Sequence, residues 1–226
     1  MKKIVAFTLI YTLFASLATA QWSAGIKIGH VSSDAIAENS ISFLDNQLKS
    51  IDNLQYGLDV KYALSPAFQL NSGIMFTQRG FEVDQSTNFG IMGFDVPIGA
   101  MAQTEINYAE IPLLLQYNHH IGNLNLFATA GPSIARATSA HLRTKAKFIF
   151  EFNVSDTEIN LNSDYIDRTD INLNAGLGVA YNFDHNQIFI ETKYGRSMNS
   201  SINESFIDMS LYNKALQINV GYSYNF

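Results

Sequence analysis

Seven charged residues stand on the polar sides of segments in which apolar and polar side chains alternate, and they are the first candidates for chemistry. They are Lys27, Asp59, Lys61, Arg79, Glu110, Glu191 and Lys193. If the segments enclose a narrow interior, these charges lie within reach of one another, and an unpaired buried charge is costly. The pattern indicates either a plug of ion pairs or a gated path for ions or protons. We favour the plug, because an aqueous channel needs many more strands.

Nucleophilic catalysis needs a hydroxyl or thiol beside a histidine base and an acidic partner. The histidines are His30, His119, His120, His141 and His185. Ser139 precedes His141 by two residues, which leaves a Ser–His pair open, but neither residue sits in a nucleophile motif. Adjacent histidines such as His119 and His120 rarely point toward one metal ion. We therefore predict no catalytic residue, no metal site, no cofactor and no enzymatic activity.

The elements that position the charged residues read as β-strands. From Leu216 to Phe226 every second residue is apolar, and the residues between are polar or glycine. Strict alternation over so many residues is typical of a strand between two unlike environments. The same period predicts eight strands, near residues 22–31, 54–64, 68–82, 104–118, 124–138, 169–183, 187–197 and 211–226.

Short and long connections alternate between these strands. The short ones are Ser65–Ala67, His119–Asn123 and Asp184–Asn186, and the long ones are 32–53, 83–103, 139–168 and 198–210. In an up-and-down meander every second connection falls at the same end. The pattern therefore predicts an all-β, antiparallel barrel with short turns and both termini at one end and long loops at the other. Within 83–103, Met92, Gly93, Phe94 and Met101 are apolar for a loop, which suggests a lid or a partner contact.

Size and composition agree with one domain that has no covalent cross-links. The chain has 226 residues, of which 47% are hydrophobic and 15% charged, and it contains no cysteine. The charged fraction is low beside the roughly 25% usual for soluble domains. The absence of cysteine excludes disulfides, thiolate metal sites and a cysteine nucleophile.

The first 20 residues have the features of a secretory signal peptide. Lys2 and Lys3 precede an apolar stretch, and Ala18-Thr19-Ala20 forms a cleavage motif. We expect cleavage after Ala20, so that the exported chain begins at Gln21. Loss of the two lysines changes the formal net charge from −6 to −8. An exported acidic protein is not expected to bind nucleic acid, because phosphate contacts need a basic face.

Three features predict that the apolar face points outward, into a membrane. The polar face is crowded with glycine, as the tight interior of an eight-stranded barrel requires. Aromatic residues flank the apolar face, as in the girdles at a lipid–water boundary. The loop lengths match a bacterial outer-membrane barrel, with short periplasmic turns and long extracellular loops. The alternative is a soluble, lipocalin-like barrel with its apolar face inward and a small apolar ligand inside.

Two segments carry distinctive motifs: Tyr108–Tyr117 reads YAEIPLLLQY, and Ala130–Ala135 reads AGPSIA. They resemble the strand Y-x-E-I-P-L-L-L-x-Y, and the G-P strand that follows it, of the PorT family of outer-membrane β-barrels of Bacteroidetes. The resemblance implies an OmpA-like eight-stranded barrel with Glu110 central in its interior. It also implies a partner in a protein secretion machine. The terminal Tyr222, Tyr224 and Phe226 look like the signal read by the barrel-assembly machinery.

The long connection at 139–168 carries the candidate binding surface. Its first limb has basic residues on one face and apolar residues, several of them phenylalanine, on the other, and the return limb is acidic, which favours a projecting hairpin. The candidate binding residues are Arg143, Lys145, Lys147, Phe148 and Phe150. The acidic residues are Asp156, Glu158, Asp164, Asp167 and Asp170. The basic row would meet lipopolysaccharide phosphates and the aromatic row acyl chains or a partner; plain strand extension is the alternative.

The sequence therefore predicts a monomeric, non-enzymatic outer-membrane scaffold whose loops bind outside the cell. The leading alternative is an accessory subunit of a secretion or envelope-assembly machine. The second alternative is the soluble carrier.

Overall fold

The computed structural model describes residues 21–38, 48–91, 94–148, 150–161, 168–199 and 210–226. The predicted signal peptide lies outside these residues, so its cleavage after Ala20 stays a prediction. Nine strands are present in the described part of the chain. They are β1 (Trp22–Glu38), β2 (Leu48–Ala63), β3 (Phe68–Ile91), β4 (Phe94–Ile121), β5 (Leu124–Phe148), β6 (Phe150–Glu158), β7 (Thr169–Phe183), β8 (Asn186–Ser197) and β9 (Ser210–Asn225).

Eight of these strands form a closed antiparallel barrel, as predicted. Consecutive strands of the ring are hydrogen-bonded, with β5 followed by β7, and β1 pairs with β9 to close the wall. The closing seam runs from Ser23 opposite Asn225 to Glu38 opposite Ser210. Closure removes the open edge that hydrocarbon does not tolerate. Strand β6 lies outside the ring and pairs with the upper part of β5. No helix in the described ranges has the length and hydropathy to cross a bilayer.

The short connections lie at one end of the barrel, together with the start of β1 and the end of β9. Gly122 has a φ of 60° and Asp184 a φ of 52° in their two turns. Two-residue hairpin turns need this left-handed backbone, which glycine and aspartate accept. Phe226 N donates a hydrogen bond to Trp22 O at 2.9 Å at the same end.

The apolar face points outward, as predicted. Leu216 and Ile218 are each 47% exposed, whereas Gln217 and Asn219 between and after them are 1% exposed. A soluble carrier needs the opposite arrangement, so the structure does not favour the lipocalin-like alternative.

The strands extend farther toward the long-loop end than the sequence predicts. Residues 83–91 and 94–103, which we assigned to a loop or lid, continue the β3–β4 ladder up to Ile91 opposite Phe94. The loop assignment was wrong there, because backbone pairing with a neighbouring strand outweighs the polar, glycine-containing composition. Met101 is buried within this extension, and Met92 and Gly93 lie outside the described residues.

Candidate functional site

The structure places all seven charged candidates inside the barrel. Their exposed fractions range from 1% for Glu110 to 8% for Lys27. Each stands at an inward position of its strand; Lys27, for example, lies between the outward residues Ile26 and Ile28. The alternation of the strands thus brings charges from distant parts of the chain into one interior.

One ion cluster joins β1, β2 and β8. Lys27 Nζ lies 3.0 Å from Asp59 Oδ1 and 3.1 Å from Glu191 Oε1. Lys61 Nζ lies 3.4 Å from the other oxygen of Asp59. Asn219 Nδ2 donates a hydrogen bond to Glu191 Oε1 at 3.0 Å. The two lysines and two carboxylates therefore balance one another in charge.

A second ion cluster is centred on Arg79. Its guanidinium pairs with Glu110 and lies 3.6 Å from Asp170 Oδ2, with its central carbon 5.7 Å from the Tyr108 ring centroid. Lys193 is buried on β8, and within the described part of the chain no carboxylate lies within 4.0 Å of its Nζ.

Asp170 belongs to this cluster, and our prediction of its place was wrong. We assigned it to the acidic limb of the outer hairpin, whereas it is buried at the start of β7 and accepts a hydrogen bond from Ser197. The signal was present, because Asp170, Asn172 and Asn174 continue the polar face of β7 by steps of two.

Uncharged amides, which we did not predict as site residues, form a hydrogen-bonded network in the rest of the interior. Gln55 Nε2 donates to Gln217 Oε1 at 3.0 Å, and Asn71 Nδ2 donates to Gln116 Oε1 at 2.7 Å. Asn125 Nδ2 donates to Asn118 Oδ1 at 2.8 Å. Their inward positions follow from the same alternation that identified the charged residues.

Apolar groups occupy the interior beside the charges. The rings of Phe127 and Phe189 meet edge-on with centroids 6.4 Å apart, and Lys61 Nζ lies 4.2 Å from the Phe189 centroid. A Cβ on Gly221 would approach Phe189 Cζ to 2.3 Å, so glycine is needed for the ring to lie there. Toward the long-loop end, Leu161 packs with Tyr108, Ala135 and Ala137. The ion clusters therefore lie between apolar groups at both ends of the interior.

The predicted projecting hairpin is present as the upper part of β5 and β6. Arg143 stands opposite Asp156, and its Nε lies 3.2 Å from Asp156 Oδ2. Arg143 Nη1 lies 2.8 Å from Glu105 Oε1, and His141 Nδ1 lies 3.1 Å from Asp156 Oδ1. The Arg143 hydrogen bond, with that of His141 second, holds the pKa of Asp156 below its ordinary value of 3.8.

A bulge sets which way the hairpin residues face. Asn107 stands opposite Ser139, but Tyr108 stands opposite Ala137, so Thr138 is an extra residue in β5. The extra residue shifts the alternation, and Ser139, His141 and Arg143 then share the outward side that Arg136 occupies below the bulge. Glu105, the partner of Arg143, also accepts a hydrogen bond from Gln78, two residues beyond the outward Phe76.

The structure describes the surroundings of only two of the predicted binding residues, Arg143 and Lys145. Arg143 is held by two carboxylates, and Lys145 is half-buried. The side chains of Lys147, Phe148 and Phe150 lie outside the described residues, as do Asp164 and Asp167.

The Ser–His pair left open by the sequence does not form a catalytic arrangement in the structure. Ser139 Oγ accepts a hydrogen bond from Asn107 Nδ2 at 2.9 Å, while His141 bonds to Asp156. Among the described residues, no group of three or more histidine and acidic side chains is arranged to hold a metal ion.

The predicted assembly signal lies on the outer surface at the short-turn end. Tyr222, Tyr224 and Phe226 are exposed, and the His185 ring stacks on Tyr224 with centroids 5.9 Å apart. Recognition of these rings by the assembly machinery stays a prediction.

A family model described as "Outer membrane protein beta-barrel domain" matches residues 14–203. The chain belongs to this family. Membership in this family places the protein in the bacterial outer membrane, in agreement with its outward apolar face. The finer resemblance to the PorT family stays a prediction. Among curated proteins no sequence matches the chain.

Several solved structures of outer-membrane proteins are similar to this chain. Ail of Yersinia pestis is 13% identical, with a TM-score of 0.42 and coverage of 90% of this chain and 99% of that one. OprG of Pseudomonas aeruginosa is 15% identical, with a TM-score of 0.49 and coverage of 92% and 97%. The outer membrane protease OmpT of Escherichia coli is 10% identical, with a TM-score of 0.39 and coverage of 92% and 98%.

Proposed function

We propose that this protein is a non-enzymatic scaffold of the outer membrane that holds the β5–β6 hairpin outside the cell as a binding surface. The observation that carries the proposal is the contrast between the two parts of the molecule. The interior carries buried ion pairs, amides and aromatic rings, whereas β5 and β6 extend beyond the barrel and present exposed side chains. The pairing of the buried charges supports the plug over the ion path.

The outward side of the hairpin supports lipopolysaccharide as a binding partner. Arg136 is exposed at the upper limit of the apolar face, and Lys145 stands farther out on the same strand. Arg143 between them is already neutralised by Glu105 and Asp156. Arg136 and Lys145 are therefore the cations that we expect to meet phosphate groups, because charge-assisted contacts to phosphate are the strong ones.

Binding to vesicles tests this proposal. The purified barrel, reconstituted in detergent micelles, is titrated with phosphatidylcholine vesicles that contain or lack lipopolysaccharide. We expect the R136Q/K145Q variant to lose most of the preference for lipopolysaccharide. The matched control is K214Q, which removes a cation already paired with Asp34 at 3.2 Å. Equal binding by the wild type and R136Q/K145Q would contradict the assignment of these two cations.

Trimming the hairpin tests the scaffold role itself. A variant in which a two-residue turn replaces residues 142–157 keeps the closed ring, because β6 is not part of it. We expect it to fold and to lose outer-surface binding. If a stable membrane partner co-purifies with the wild type and is lost on trimming, the accessory-subunit alternative replaces the simple scaffold. A trimmed variant that binds as the wild type does would refute the proposal.

A further inference from the structure

Strand β6 presents a sheet edge outside the barrel. In the sheet of described strands β6 is a terminal member and pairs with β5 alone. Its nine residues, Phe150–Glu158, span about 30 Å at the usual rise of a strand. A terminal strand carries a row of backbone donors and acceptors that can pair with another chain.

The hydrogen bonds to β5 show which groups face the edge. Ile159 N donates to Ala140 O at 2.8 Å, directly after β6. Successive N–H groups of a strand point to alternate sides, so the N–H of Thr157 also points toward β5. The N–H groups of Asp156 and Glu158 therefore point toward the open edge.

The edge lacks two of the residue types that most often prevent pairing with another strand. Edges are usually protected by charged side chains, especially lysine, by proline or by a bulge. The segment Phe150–Glu158 contains neither lysine nor proline; its charged residues are all acidic, and one bulge occurs, at Val154. Phe152 is 56% and Val154 64% exposed. The edge therefore combines exposed apolar side chains with backbone groups that pair with no other described strand.

The charges along β6 define the chemistry of a matching strand. Asp156 is held by Arg143 and His141, whereas Glu158 makes no ion pair with any described residue. Phe152 stands opposite Ala146 and Glu158 opposite His141, which are five residues apart on β5, so the two side chains lie on opposite faces. A matching strand carries apolar residues on the face of Phe152 and a basic residue on the face of Glu158.

We propose that the free edge of β6 docks an extended segment of a partner polypeptide, which adds a strand alternating between apolar and basic or polar residues. The proposal deepens the binding role proposed above by naming the kind of partner. A second copy of this chain fits less well, because pairing of two β6 strands would place the acidic residues of both copies along one seam. Strand addition supplies affinity through backbone hydrogen bonds and specificity through alternate side chains.

Fluorescence anisotropy with two labelled peptides tests the proposal on the full-length protein in detergent. The first probe is a nonapeptide of alternating valine and threonine with lysine at the central threonine position, and the second has glutamate there. We expect the lysine peptide to bind and the glutamate peptide to bind several-fold more weakly, since an exposed charge pair contributes modestly. E158P, which removes an edge N–H, is expected to weaken binding about tenfold or more.

The matched control for E158P is E158Q, which keeps the N–H and removes the charge. We expect E158Q to abolish discrimination between the two peptides while retaining binding. A second edge variant, V154K, places a charge at an exposed position and is also expected to weaken the binding of both peptides. Circular dichroism establishes that the variants are folded. An unchanged preference for lipopolysaccharide in the vesicle assay establishes that Arg136 and Lys145 still bind. That readout separates failure of this proposal from failure of the scaffold role.

Three results would overturn strand addition at β6. One is the absence of binding of either peptide to the wild type. Another is equal binding by the wild type, E158P and V154K. The last is self-association of the wild type that E158P removes, which would assign the edge to a second copy of the chain.

Discussion

The Arg79–Glu110 pair offers the sharpest test of the buried ion clusters. Replacing Glu110 with glutamine keeps the side-chain size but removes the charge that neutralises Arg79. Arg79 is 2% exposed and Glu110 1% exposed, so solvent cannot take over the lost interaction. The remaining carboxylate near Arg79 is that of Asp170, at 3.6 Å.

The structure gives an order and a magnitude for the variants at this pair. Breaking a buried ion pair by removing one partner costs about 3–5 kcal/mol, because the other charge stays buried without compensation. E110Q leaves Arg79 with Asp170, so we expect a loss of about 3 kcal/mol. R79M leaves two buried carboxylates without their cation, and we expect about 5 kcal/mol. The double variant R79M/E110Q is expected to cost less than the sum, since the two residues interact directly.

Urea unfolding of the barrel in micelles measures these losses. The single tryptophan, Trp22, lies in β1 with its ring centroid 4.8 Å from that of Tyr62 on β2, so its fluorescence reports on the wall. With a urea m-value of about 2 kcal/mol/M, E110Q should lower the midpoint by about 1.5 M. The control is D52N, which removes a 65% exposed carboxylate 3.6 Å from His30 and should change stability by less than about 1 kcal/mol. If E110Q and R79M fall within the range of D52N, the ion clusters do not stabilise the fold.

Three further predictions follow from the interior and the hairpin. We expect the wild type to show no sustained conductance in planar bilayers and F127A/F189A to show a measurable conductance, because the two buried rings occupy the interior. The control is F76A, at an outward position, which should not conduct. G221A should destabilise the barrel by about 1–3 kcal/mol through overpacking against Phe189, and F189L/G221A should recover part of the loss in the same urea assay. Because the folded pKa of Asp156 lies below 3.8, its contribution to the hairpin is present above that value and lost as the pH falls through the folded pKa. Hydrogen exchange of β6 amides, corrected for the intrinsic pH dependence, should therefore lose protection only below about pH 4 in the wild type. D156N should be less protected than the wild type above that pH and equally protected in stronger acid, where Asp156 is protonated. An acid-insensitive wild type would contradict the role of Asp156.

The alternation of residue types was enough to predict the barrel. Period-two patterns such as Leu216–Phe226 depend on which environment each face of a strand meets, which is a local property of the sequence. The even number of strands, the alternation of short and long connections and the outward apolar face follow from those patterns. The same rule singled out seven charged residues, which the structure places inside.

The pairing of particular side chains was decided by the tertiary structure. Lys27 and Glu191 are 164 residues apart, and their contact depends on the stagger of strands around the ring, which no local pattern encodes. Asp170 belongs to the Arg79 cluster for the same reason. The extra residue at Thr138 turns His141 and Arg143 outward, and only the register with β4 shows it. The sequence by itself therefore determined which face of each strand is polar, because that depends on spacing along one strand. The contacts across the interior and the free edge of β6 arise from pairing between strands, and so only the folded barrel defines them.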